Sequence, residues 1–116
     1  MASKSKLPRR GSNEGAVQAD ILDYLETRGH CFFRVNNIPA FSRAADGSMR
    51  MRLLPKHTPR GLPDIIVVRR GWFVALEVKD KGSQSADQKA FQRRVEAAGG
   101  RYHLVRSIQD VQQAGL

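Results

Sequence analysis

Two acidic residues and a lysine, Asp64, Glu77 and Lys79, lie in two short β-rich runs that are separated by Arg70 and Gly71. Glycine at the second position of a two-residue loop favours a tight antiparallel hairpin. A hairpin that turns at these residues places Asp64 directly opposite Glu77. Lys79 lies two residues beyond Glu77, so both side chains share one face of the strand. The pattern therefore predicts two neighbouring carboxylates with an ammonium group beside them.

Neighbouring carboxylates need a positive partner, because two of them about 4 Å apart repel by roughly 4 kcal/mol at an effective dielectric near 20. Oxygen ligands from Asp64, Glu77 and the carbonyl of Val78 suit a hard cation such as Mg²⁺, for which Mn²⁺ can substitute. Such a cation takes phosphate oxygens as further ligands and lowers the pKa of a bound water. Lys79 would orient that water or stabilise the transition state. These residue types predict a site for phosphodiester hydrolysis.

Two helical residues are further candidates, and each has an ordinary alternative explanation. The apolar stripe of Val17 and Ile21 extends back to Glu14, so its carboxylate is expected to point toward the sheet, within reach of the metal, its water shell or a second ion. The alternative is a first-turn acid that the helix dipole stabilises by under about 1 kcal/mol. Gln88 lies on the sheet-facing side of its helix, but it also stands three residues after Ser85, the spacing of a capping box.

The elements that must position these residues follow from periodicity and turn signals. The first helix is capped by Ser12 or Asn13 and ends at Gly29, and a helix that begins at Ser85 ends at Gly99. Strands are predicted over 31–35, 49–54, 64–69, 72–79 and 101–106, and a short last helix follows Ser107. Because both hairpin strands are apolar on both faces, they are expected at the centre of the sheet. The order predicts an α/β fold with a mixed sheet flanked by helices.

Length and charge indicate one small domain with an anionic partner. The chain has 116 residues, and 20 Lys and Arg against 11 Asp and Glu give a formal charge of +9. We expect a disordered basic arm over residues 1–11 and a single domain over 12–116. Nucleic acid is the first candidate partner, although many small basic proteins share this balance.

The apolar segments, the single cysteine and the absence of a P-loop pattern limit the expected cellular compartment and the possible cofactors. No apolar run is long enough for a membrane span and no apolar leader follows the N-terminus, so a soluble cytoplasmic protein without membrane partners is expected. Cys31 is the single cysteine, which excludes an internal disulfide, and its aromatic neighbours suggest a small buried thiol. No phosphate-binding loop of the P-loop pattern occurs, so no nucleotide cofactor is expected. His57 and His103 are weaker candidates, and neither is assigned a metal.

The stretch from Asn37 to Arg60 is too long to serve only as a connection between two elements. It is rich in basic residues that are interrupted by Pro and Gly. We expect it to contact DNA phosphates through five side chains, namely Arg43, Arg50, Arg52, Lys56 and Arg60.

Taken together, the motifs resemble the VRR-NUC branch of the PD-(D/E)XK nucleases over residues 12 to about 114. The resemblance lies in Gly-Leu-Pro-Asp ending at Asp64, Glu-Val-Lys ending at Lys79, the later Gln88, and a helix that ends at Gly99-Gly100 before a strand. It implies a restriction-endonuclease-like core and a metal-dependent DNA endonuclease. It also implies that Asp64 and Glu77 bind metal, that Lys79 is the catalytic lysine, and that Glu14 and Gln88 belong to the active site.

Stand-alone members of this branch resemble virus and prophage proteins that act on branched DNA as homodimers. A structure-selective endonuclease for Holliday junctions or flaps, in replication, recombination or repair, is therefore the leading hypothesis. A non-catalytic DNA-binding module with a nuclease-like fold is the alternative, which the basic charge supports equally. A sequence-specific restriction enzyme is a third possibility, but such enzymes normally devote more chain to contacting base edges, and the sequence contains no such segment.

Overall fold

The structure is a computed structural model that describes residues 13–35, 41–51 and 56–116. In these ranges the chain forms three helices and six strands: α1 (Glu14–Thr27), β1 (Cys31–Arg34), β2 (Phe41–Arg43), β3 (Met49–Met51), β4 (Ile65–Arg69), β5 (Trp72–Val78), α2 (Ala86–Ala97), β6 (Arg101–Val105) and α3 (Ile108–Gln113). None of these described helices has the length and apolar character needed to cross a bilayer.

Four of the strands form one mixed sheet in the order β1-β4-β5-β6. The β1–β4 and β4–β5 pairs are antiparallel, and β5 runs parallel to β6. The predicted hairpin is confirmed with its register, since Arg69 pairs with Trp72 and Val67 with Val74. The α/β class and the central position of this hairpin are confirmed as well. The parallel β6 is reached through α2, as a crossover between parallel strands requires.

Alternation along the strands divides the core between the two faces of the sheet. One face carries Ile65, Val67 and Leu76 and packs against Ile21 of α1 and Val111 of α3. The other face is smaller and is built from Ile66, Ala75, Tyr102 and Val95 of α2, with Phe91 packed against it. Glu77 follows Ala75 by two residues in β5, so its side chain belongs to the smaller face, beneath α2, where it contacts Gln88 and Tyr102.

Three local predictions need correction. Cys31 is exposed rather than buried, because β1 is an edge strand and much of its surface stays in solvent. Asn13 is the N-cap of α1, but its side chain makes no capping hydrogen bond. The helical spacing of Phe91, Val95 and Ala98 predicts that all three share the apolar face of α2, but the helix ends at Ala97 and Ala98 is exposed.

The stretch before Asp64 contains a small hairpin of its own. β2 and β3 pair antiparallel, with Ser42 opposite Arg50 and Arg43 opposite Met49. The strand predicted over 49–54 is therefore present through Met51, and its remaining residues lie outside the described ranges, as does the arm predicted over 1–11.

Candidate active site

The site begins where the hairpin opens, at Asp64. The ladder ends at the pair of Ile65 and Leu76, and the amide of Asp64 donates to the carbonyl of Leu76 at 3.1 Å, so the predicted direct pairing of Asp64 with Glu77 is not part of the ladder, although the two residues are neighbours. The carboxylate of Asp64 folds toward the neighbouring strand, where its Oδ2 accepts a 2.8 Å hydrogen bond from the amide of Val78. The backbone of β5 therefore orients Asp64.

Glu77 is the buried centre of the site, and only 2% of its surface is exposed. Each of its carboxylate oxygens faces a separate donor. Gln88 donates through Nε2 to Oε2 at 2.6 Å, and the Tyr102 hydroxyl lies 3.4 Å from Oε1. A buried carboxylate is tolerable only when its oxygens are hydrogen-bonded. The two donors contact different oxygens and so fix the orientation of the carboxylate.

Burial, followed by the charge of Asp64, raises the pKa of Glu77 to about 8, against the opposing influence of Lys79 and Tyr102. Burial and the neighbouring Glu77 carboxylate raise the pKa of Tyr102 to about 12, so its hydroxyl stays protonated and able to donate at neutral pH. Burial and the neighbouring Asp64 therefore disfavour the charged form of Glu77 in the metal-free protein.

Lys79 forms ion pairs with one acid of β5 and one acid of α1. Its Nζ lies 4.0 Å from Oε2 of Glu77 and 4.0 Å from Oε2 of Glu14, and its side chain is only 17% exposed. Glu14 reaches this point because the amide of Asn13 donates to Oδ2 of Asp80 at 2.8 Å, which fastens the start of α1 just beyond β5. The predicted inward orientation of Glu14 is therefore present.

Gln88 fulfils both of the roles that the sequence left open. Its Oε1 accepts from the amide of Ser85 at 2.9 Å while the Ser85 hydroxyl accepts from the amide of Gln88, which completes the capping box. The same amide group donates its Nε2 to Glu77. The cap therefore fixes the rotamer that presents Gln88 to the acid.

Three residues of this arrangement were missed by the sequence analysis: Gly61, Asp80 and Tyr102. Gly61 has φ +75°, and a Cβ built on it would lie 2.4 Å from the backbone of Asp87, so the loop before Asp64 touches the first turn of α2. The Gly-Leu-Pro-Asp motif contained a signal for this close approach, since glycine permits it. Tyr102 and Asp80 carried no signal, because a strand tyrosine and a loop acid are common on their own.

The donor set has the chemistry of a hard-cation site. Asp64, Glu77 and Glu14 offer carboxylate oxygens, and Val78, the predicted carbonyl ligand, lies between Glu77 and Lys79. Within residues 13–35, 41–51 and 56–116, no three Asp, Glu, His or Cys side chains converge as a cation cluster. Asp64 is instead engaged by the Val78 amide, and Glu77 by Gln88. The residues fit Mg²⁺ by donor type, because they offer carboxylate oxygens close together.

The structure locates the five predicted DNA contacts only in part. Lys56 and Arg60 are exposed on the segment that leads to Asp64. Arg43 and Arg50 belong to the β2–β3 hairpin, whose backbone is described. Arg52 lies outside the described residues. The structure therefore leaves these five contacts as predictions.

Comparison with known proteins identifies the fold. No protein-family model matches the sequence, and no curated protein matches it. A solved structure described as a VRR_NUC domain superposes with a TM-score of 0.58 and 22% sequence identity, over 89% of this chain and 94% of the other. The match supports the resemblance inferred from the motifs, and at this level of identity it concerns the fold. The chain therefore has the fold of a VRR_NUC domain.

Proposed function

We propose that this protein is a metal-dependent endonuclease that hydrolyses DNA phosphodiesters. The observation that carries the proposal is the contact set around Glu77, in which Gln88, Tyr102 and Lys79 surround a buried carboxylate next to Asp64. Burying an acid beside another acid destabilises a fold, and such arrangements are concentrated at functional sites. The VRR_NUC fold and the charge of +9 agree with a nuclease that acts on a polyanion.

Asp64 and Glu77, with the carbonyl of Val78 and the nearby Glu14, would hold Mg²⁺ or Mn²⁺. When bound, such an ion supplies positive charge for the scissile phosphate and makes an attacking water more acidic. The protein's own contribution is orientation. The Val78 amide fixes Asp64, and Gln88 fixes Glu77 through a capping box that leaves it little rotamer freedom.

Lys79 is the group that we expect to act on the substrate. Its side chain is 17% exposed and is held by Glu77 and Glu14, and we expect its ammonium to contact a phosphate at the open end of the hairpin. A cation there stabilises the charge that develops on the phosphate oxygens or orients the attacking water. It need not act as the base.

The substrate class is the finer part of the proposal. We propose branched DNA, such as junctions or flaps, and action as a homodimer. A domain of 116 residues is small beside a branched substrate, and a second copy would supply further contacts. The five basic residues between Asn37 and Arg60 would bind phosphates, without selecting a base sequence.

The test is cleavage of labelled linear duplex, flap and four-way junction DNA in Mg²⁺, Mn²⁺ or EDTA, with wild type and Lys79→Ala compared. Lys89→Ala is the matched control, because Lys89 is an exposed lysine on α2. We expect metal-dependent cuts that Lys79→Ala reduces at least about 100-fold and Lys89→Ala leaves intact. Binding without cleavage in any metal would contradict the proposal and favour the non-catalytic DNA-binding module.

A further inference from the structure

A second charged region lies at the turn of the β4–β5 hairpin, away from the candidate active site. Arg69, Arg70 and Arg101, here called the arginine cluster, border a concavity of about 230 Å³ together with Trp72. Trp72 is 46% exposed, and the guanidinium of Arg101 stacks 4.2 Å from its ring centroid. The stack holds Arg101 beside the other two arginines.

The arginine cluster lacks ion-pair partners among the acidic side chains of the described residues. In the described part of the chain, none of these three guanidinium groups forms an ion pair with Asp or Glu, whereas Lys79 contacts two acids at the active site. Like charges held together repel, and an anion relieves that repulsion. Guanidinium groups also match phosphate oxygens through paired hydrogen bonds.

Folding alone does not explain Arg70. It has φ +51° and precedes Gly71 at φ +83°, which defines a two-residue turn with both central residues in the left-handed region. Asn-Gly, Asp-Gly and Gly-Gly are the preferred sequences of such a turn. An arginine occupies a position where asparagine would stabilise the turn better. Its long cationic side chain therefore points to a role outside the fold.

We propose that the arginine cluster is a second binding surface for DNA phosphates. The choice of DNA rests on the proposed function, while the surface itself is distinct from the nuclease site. Trp72 and Glu77 are five positions apart in β5, about 17 Å along the strand. Trp72 and Glu77 also alternate to opposite faces of the sheet. The cluster thus contacts a part of the DNA other than the one presented to Glu77.

Arg70→Asn is the decisive variant, because it removes the charge while converting the turn to Asn-Gly. We expect its melting temperature to stay equal to that of wild type or to rise. Binding of a labelled DNA duplex in EDTA should weaken. The negative slope of log affinity against log salt concentration should become less steep by about 0.9, because one phosphate contact is lost. Adding Arg69→Ala should lower the slope by about 1.8 in total.

The charge-matched control is Lys89→Ala with Arg93→Ala, two exposed residues of α2. An equal loss of slope in this control would mean a general charge effect and would overturn the proposal. Unchanged salt dependence of DNA binding in Arg70→Asn would also overturn the proposal. If Arg70→Asn lost affinity for polyglutamate but not for DNA, the surface would instead bind an acidic protein partner, which would overturn the proposal as well. Because binding is measured in EDTA, the cluster can be confirmed even if the protein cuts no DNA.

Discussion

The two ends of the β4–β5 hairpin differ in how the protein treats charge. At the open end, Glu77 is buried and both of its oxygens face donors, and Asp64 is bonded to the strand beside it. At the turn end, Arg70 is exposed and has no ion-pair partner in the described residues. The same register therefore supports two unlike electrostatic environments.

The two ends of the hairpin are suited to different tasks. The open end holds its groups in a fixed orientation, whereas the turn end presents charge that attracts an anion from a distance. Buried groups with fixed partners lose little further entropy when a substrate arrives, which is the condition for chemistry. Exposed arginines on long side chains act mainly through long-range charge, which salt screens. We therefore expect changes at the open end to affect catalysis and changes at the turn to affect affinity.

The largest expected effect is at Asp64. Asp64→Ala removes one carboxylate of the pair and the acceptor of the Val78 amide. Cleavage should fall by about 10² to 10³-fold, as when one preorganised electrostatic group is lost, while DNA affinity in EDTA stays near that of wild type. Single-turnover cleavage and duplex binding, measured on the same preparation, check both halves. A comparable loss of binding would remove the contrast between the two ends.

The next effect concerns the support of the open end. Gly61→Ala places a Cβ 2.4 Å from the backbone of Asp87 at φ +75°, so we expect a loss of about 2 to 4 kcal/mol in unfolding free energy. Gly29→Ala is the matched control, because Gly29 has φ +76° with nothing within 4 Å and should lose about 1 to 2 kcal/mol. Urea unfolding distinguishes them. Equal losses would mean that contact with α2 is unimportant.

The last effect concerns stability alone and is expected for Glu77→Gln in metal-free protein. Because the folded pKa of Glu77 is raised from 4.5 to about 8, the native state binds its proton more tightly than the unfolded chain. Its contribution to stability is therefore full below pH 4.5 and is lost as the pH rises to about 8. Relative to wild type, the variant should gain stability across that interval.

Melting temperatures of both proteins between pH 5 and 9 test this difference. Adding Mg²⁺ should raise the melting temperature of wild type more at high pH, because a carboxylate ligand must be deprotonated, and should affect Glu77→Gln little. A parallel pH profile in the two proteins would show that Glu77 does not titrate in this interval.

Much of the site could be predicted from local sequence because its geometry is local. A two-residue turn at Arg70 and Gly71 imposes one register, and that register ends at Ile65 and Leu76, directly next to Asp64 and Glu77. The capping box was visible in the spacing of Ser85 and Gln88. Each of these features depends on residues a few positions apart in one element or one hairpin.

Other parts of the site could not be predicted because they depend on contacts between distant segments. Tyr102 reaches Glu77 from β6, and Asp80 receives the amide of Asn13 across 67 residues of chain. The exposure of Cys31 was mispredicted for a related reason, since an aromatic strand has the same composition at the edge of a sheet as at its centre.

By itself, the sequence determined the class of the fold, the hairpin register and the identity of the acids and the lysine, because turn chemistry and strand periodicity act over short range. Only the tertiary structure decided that Glu77 is buried under two donors, that Gln88 serves the cap and the acid together, and that the arginine cluster lies at the opposite end on the other face. Burial and partners are set by the packing of α1, α2 and β6 around the hairpin, and that packing depends on residues far apart in the chain.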